Sequence, residues 1–80
     1  MAFEHFSKMA SELKYELRKE IYTATASAVY PPKIVSRTDQ LVTIEGKINY
    51  WFKGGNPDGS YRATVVYDKY TGAVVMDNIN

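Results

Sequence analysis

The residues able to carry chemistry are few. His5 is the single histidine of the 80-residue chain, and there is no cysteine. A metal centre needs several converging ligands, and His5 sits near the N-terminus with no acidic cluster around it. Nucleophilic catalysis needs a hydroxyl next to a base, and His5 has no evident partner for that role. Glu45 and Asp68 are the candidate carboxylate pair, the arrangement used in acid–base hydrolysis. The hairpin register derived below sets them opposite each other, where like charges destabilise. Lys47 or Lys69 would relieve them, and no further polar group converges there. Gly54-Gly55 and Gly59 have the composition of a phosphate cradle but lack the strand–loop–helix context that makes one. Asp68-x-x-Thr71-Gly72 has the outline of a calcium loop with only one charged ligand, so a tight turn explains it better. These residues lead to an expectation of no catalytic, cofactor or metal site, and of a protein that is not an enzyme.

Composition narrows the class. Ten Lys and Arg against nine Asp and Glu give a net charge of +1, which supplies no global attraction to DNA or an anionic membrane. No apolar run approaches the roughly 20 residues that span a bilayer. The first residues lack a signal peptide's basic start and apolar core, because Glu4 and His5 interrupt them. A soluble, cytoplasmic protein is expected. Hydrophobic residues make up 45% of the chain, with seven Tyr, three Phe and one Trp, enough for a small packed core. With no disulfide available, packing must supply the stability, helped by self-association.

The elements that position these residues follow from periodicity. Phe3, Phe6, Met9, Ala10, Leu13, Leu17, Ile21, Ala24 and Ala28 recur at spacings of three and four, which predicts an amphipathic helix over 2–28. Lys8, Glu12, Glu16, Lys19 and Glu20 form its solvated side. Pro31-Pro32 ends it. Alternation then takes over. Strands are predicted at 33–37, 41–53, 60–70 and 73–77, with the second and third forming a long hairpin across Gly54–Gly59. Val42, Ile44, Ile48, Tyr50 and Phe52 share one face, as do Tyr61, Ala63, Val65 and Tyr67. Setting Lys53 opposite Ser60 pairs Phe52 with Tyr61, Tyr50 with Ala63, Ile48 with Val65, and Gly46 with Tyr67. The aromatic ring of Tyr67 would then shield Gly46, a point of bulge or bend.

The expected architecture is one 80-residue α+β domain, a long N-terminal helix packed on a curved four-stranded antiparallel meander. In outline such a roll resembles the cystatin-like folds. No family motif accompanies the outline, so the resemblance concerns architecture alone and carries no function.

A helix on one side of the sheet leaves the other side as the working surface. In the register above Trp51, Val66, Val74 and Met76 point outward, Tyr70 lies near the last turn, Arg62 faces Trp51 and Lys47 faces Val66. An apolar cluster rimmed by cations has the composition of a recognition surface. The expected partner is another protein, or a second copy of the chain, engaged through this face or through an edge strand. The alternative is a single-stranded nucleic acid or nucleotide, stacked on Trp51 with Lys47, Lys53 and Arg62 on phosphates. A third expectation places a small ligand between helix and sheet near Tyr15, Tyr22 and Tyr50. No membrane partner is expected.

Overall fold

The computed structural model describes residues 4–80. Its elements are α1 (Glu4–Arg18), β1 (Thr25–Arg37), β2 (Leu41–Trp51), β3 (Gly59–Asp68) and β4 (Val74–Ile79). The strands form one antiparallel sheet in chain order, and the helix packs on one face of it. This is the expected α+β meander. The helix start predicted at Ala2, and Phe3 on its stripe, lie outside the described residues.

The helix is shorter than its apolar stripe. Lys19 and Glu20 close it with hydrogen bonds to the carbonyls of Glu16 and Leu17 at 3.2 Å, and Arg18 Nε donates to the Ala24 carbonyl at 2.9 Å. Beyond it, Ala24, Ala26 and Ala28 fit two periods at once. Ala24 and Ala28 are one helical step apart, yet all three alternate with Thr25, Ser27 and Val29. The strand period wins: Ala26 and Ala28 pair with Tyr50 and Ile48 of β2 and pack against the core. The β-branched Thr25 and Val29 favour that outcome, and sheet pairing overrides weak helix propensity.

β1 therefore begins at Thr25 rather than at Lys33 and runs through Pro31-Pro32, with a cis Tyr30–Pro31 bond. The prolines are tolerated because β1 is an edge strand and bulges there. Val29 faces Lys47 and Lys33 faces Glu45, so Tyr30, Pro31 and Pro32 together span the space opposite Gly46.

The core is entirely apolar among the described residues: Phe6, Met9 and Ala10 from α1 meet Val42, Ile44, Ile48, Ala63 and Val65. Gly46 lies opposite Ala63, and these two small residues make the hollow that receives Phe6. A Cβ built on Gly46 would stand 3.0 Å from the Phe6 ring, so helix and sheet meet here at contact distance. Burying Phe6 contributes about 1.5–3 kcal/mol. The shield over Gly46 is thus Phe6 of the helix, and Tyr67 lies opposite Val42 instead.

The hairpin register differs from the predicted one. Tyr61 sits opposite Ile48 rather than Phe52, Val65 opposite Ile44, and the ladder closes at Tyr50 and Gly59. The cause lies in the loop. The Asp58 carboxylate accepts the Phe52 N–H at 2.7 Å, Asp58 N donates to the Tyr50 carbonyl at 2.9 Å, and Trp51 Nε1 donates to the Gly55 carbonyl at 2.9 Å. These bonds draw Phe52 and Lys53 out of the strand. Because the displacement is an even number of residues, each face keeps its side chains and only their neighbours change.

At about 1.5 Å per residue the 15-residue helix spans roughly 22 Å, whereas 13 residues of β1 reach roughly 43 Å. The helix leans mainly on β1, with lighter contact to β2 and β3, and its backbone stays clear of β4. His5 Nε2 reaches the Asp77 carboxylate of β4 at 2.5 Å. The molecule measures 43 × 20 × 18 Å with a radius of gyration of 13.5 Å, against about 12 Å for a compact chain of this length. Its accessible surface is 5462 Å², where a compact 9.1 kDa protein exposes about 4,900 Å².

Candidate functional site

The residues expected on one outer patch fall into separate regions. Trp51 closes one end of β2 and faces Thr25 of β1. Arg62 lies opposite Lys47 at mid-sheet, and Val66 opposite Thr43, with Met76 beside it on β4. Eight residues of β2 separate Trp51 from Thr43, which is about 26 Å along the strand. Val74 does not point outward: it pairs with Tyr67 and packs on the core. The extra residue of the β3–β4 irregularity, Val75, reverses the expected alternation, leaving Val75 56% and Met76 54% exposed. Tyr70, 75% exposed in the last turn, lies under Lys69 Nζ, 5.3 Å from the ring centre.

The predicted carboxylate pair is not formed. Asp68 is opposite Leu41 and Glu45 opposite Thr64, while Glu45 lies 3.9 Å from Arg62 Nε. Lys47 and Arg62 are directly opposed like charges, and this weak contact with Glu45 only partly offsets them. Asp68 instead builds the β3–β4 turn. It accepts from Gln40 Nε2 at 2.8 Å and from the N–H groups of Tyr70 and Thr71 at 2.8 and 3.1 Å, and these bonds hold its carboxyl below the ordinary value. Gly72, with φ of +75°, completes the turn.

Two concavities border the end of the sheet at Trp51 and Phe52. One of about 490 Å³ lies against Trp51, Thr23, Thr25, Lys53, Gly54 and Gly55, and a smaller one of about 240 Å³ against Glu16, Leu17, Glu20, Ile21 and Phe52. The tyrosines do not make a pocket. Tyr15 and Tyr22 are exposed, and Tyr50 makes tilted ring contacts with Phe52 and Tyr61 at centroid distances of 5.4 and 5.2 Å. Among the described residues no three potential metal ligands converge, and no helix is long and apolar enough to cross a membrane.

The sequence points to the sheet edges as candidate surfaces, and the structure separates their characters. β1 also exposes apolar residues, Ile34 and Val35 among them, on a backbone broken by two register shifts and two prolines. β4 is six residues without proline or lysine, Val74–Ile79, and its free side is open. The Arg62 and Asn80 amides exchange hydrogen bonds at 3.2 and 2.9 Å, which fixes the parity of the ladder. Asn80, Asn78 and Met76 turn their peptide groups toward β3, and Ile79 and Asp77 turn theirs outward. A sequence signal for this existed in the uninterrupted Val74-Val75-Met76 run, followed in the strand by the single charge of Asp77. No family model, curated protein or solved structure matches this chain.

Proposed function

We propose that this chain is a non-enzymatic protein-interaction module that takes an extended segment of a partner along β4, adding a strand to its sheet. The observation that carries the reading is the open β4 edge, with the outward peptide groups of Asp77 and Ile79 beside the exposed side chains of Val75 and Met76. Main-chain pairing of this kind supplies affinity, and the alternating side-chain positions supply selectivity. The test is selection of displayed extended peptides on the immobilised chain. Asp77→Pro removes an outward N–H without touching a β3 hydrogen bond and should abolish capture, as should Met76→Asp, whereas Asp77→Asn, which changes the contact with His5 but keeps the N–H, should leave capture intact. Capture that survives both substitutions but is lost in Trp51→Ala would overturn the edge as the site.

A second reading rests on the concavity against Trp51, whose indole is oriented by Gly55 and bordered by Lys53. A nucleobase stacked there, with Lys47 and Arg62 further along the face, would make the chain a single-stranded nucleic-acid or nucleotide binder. Its affinity would fall steeply with salt, and a Trp fluorescence titration with mixed oligonucleotides at low salt tests it. An unchanged signal excludes it.

A further inference from the structure

Resting on the β4 reading above, we infer that the strand seated on this edge is β4 of a second copy of the chain, antiparallel, about a two-fold axis at Asn78. The occupant follows from the strand itself, whose outward groups match those of a second copy in one register.

The strand is self-complementary in one register. An axis at Asp77 would set two carboxylates opposite each other, which is unfavourable. An axis at Met76 would run the new ladder through the irregularity at Val75. An axis at Asn78 uses the regular segment 76–80 alone. Asp77 then lies opposite Ile79 of the other copy, and the outward N–H and C=O of each meet their counterparts. Met76 faces the partner copy's Asn80 and is covered by it. Asn78 meets its own copy on the outer face, where two carboxamides can exchange hydrogen bonds.

The geometry extends to the helices. The α1 backbone stays clear of β4 and only the His5 side chain reaches it, at Asp77 on the helix side of the sheet, so a second sheet can continue the first, giving eight strands with both helices on one side. A two-fold contact of this kind is closed, and β1 at each outer end carries the prolines that stop further addition.

Absence of cysteine makes the test clean. At the axis Asn78 is a non-hydrogen-bonded pair with its own copy, where Cα atoms approach to about 4.5 Å, within disulfide range. Asn78→Cys should therefore form a covalent dimer under mild oxidation, at least about tenfold faster than Met76→Cys, which lies two residues from the axis. Sedimentation of the wild type should show a concentration-dependent dimer, and Asn78→Arg, which sets like charges at the axis, should weaken it while keeping the thermal transition. A wild type that stays monomeric to millimolar concentration overturns the proposal, as does cross-linking no faster at 78 than at 76. If the chain is monomeric while selected peptides still bind in an Asp77-dependent way, the dimer fails and the strand-addition reading stands. If neither occurs, both fail.

Discussion

β1 and β4 border the same sheet, and they treat the edge in opposite ways. β1 is the longest strand at 13 residues, lies under the helix, carries Pro31, Pro32 and Lys33, and shifts register twice. The prolines, the lysine and the register shifts obstruct the addition of another strand. β4 has six residues with no proline and no lysine, carries the one charge of Asp77, meets the helix only through His5, and exposes Val75 and Met76. Exposed apolar surface alone therefore does not make an edge adhesive. β1 exposes Ile34 and Val35 on a backbone that cannot present a continuous ladder, whereas β4 presents both.

The largest effect is expected where the helix seats on the sheet. Phe6→Ala empties the hollow over Gly46 and Ala63 and should cost about 3–5 kcal/mol, read from chemical denaturation. Gly46→Val approaches the same contact from the sheet side. Its Cβ would stand 3.0 Å from the Phe6 ring, and a loss of about 1–3 kcal/mol is expected. A Gly46→Val protein as stable as the wild type would show that the ring can move aside.

A subtler change sharpens the contrast between the edges. Replacing Pro31 and Pro32 together with Val gives β1 an unguarded backbone. A chain with two open edges should assemble beyond the dimer, because the second contact does not close, and light scattering should rise with concentration. Unaltered scattering would mean that the register shifts, rather than the prolines, protect β1.

The smallest effect concerns the turn that delivers β4. Hydrogen bonds from Gln40, Tyr70 and Thr71 hold the Asp68 carboxyl below its ordinary value. Its folded form therefore binds its proton less readily than the unfolded chain does. The stability this contributes is present above the ordinary carboxylate range and is lost as pH falls through the lowered value. Asp68→Asn should flatten the acid limb of a thermal-stability profile, and an unchanged acid limb would mean that the turn does not depend on the charge.

Much of this architecture is legible in the sequence, for physical reasons that also explain what is not. Alternation along Val42–Phe52 and Tyr61–Tyr67 fixes which side chains share a face, and an even displacement of the register leaves that unchanged. It does change every cross-strand neighbour, because Asp58 and Gly55 hold Phe52 and the Trp51 indole in the loop, an effect that alternation does not encode. The expected patch of Trp51, Arg62, Val66 and Met76 is consequently spread along the sheet. Ala24, Ala26 and Ala28 satisfy helix and strand periods together, so only pairing with β2 decides between them. The reversal at Val74 comes from one extra residue, Val75, whose placement depends on the turn that Asp68 and Gly72 build. The edges themselves were visible as termini of the meander, and their difference needed the ladder parity.

Amide hydrogen exchange followed residue by residue from micromolar to millimolar protein distinguishes the two edges. Met76 and Asn78 amides, bonded to β3, should be protected throughout. Asp77 and Ile79 amides should exchange freely in dilute solution and become protected as the β4 edge is occupied, while the outward amides of β1 do not change. Protection that grows on β1 instead, or outward β4 amides that stay unprotected across the whole range, would contradict the account.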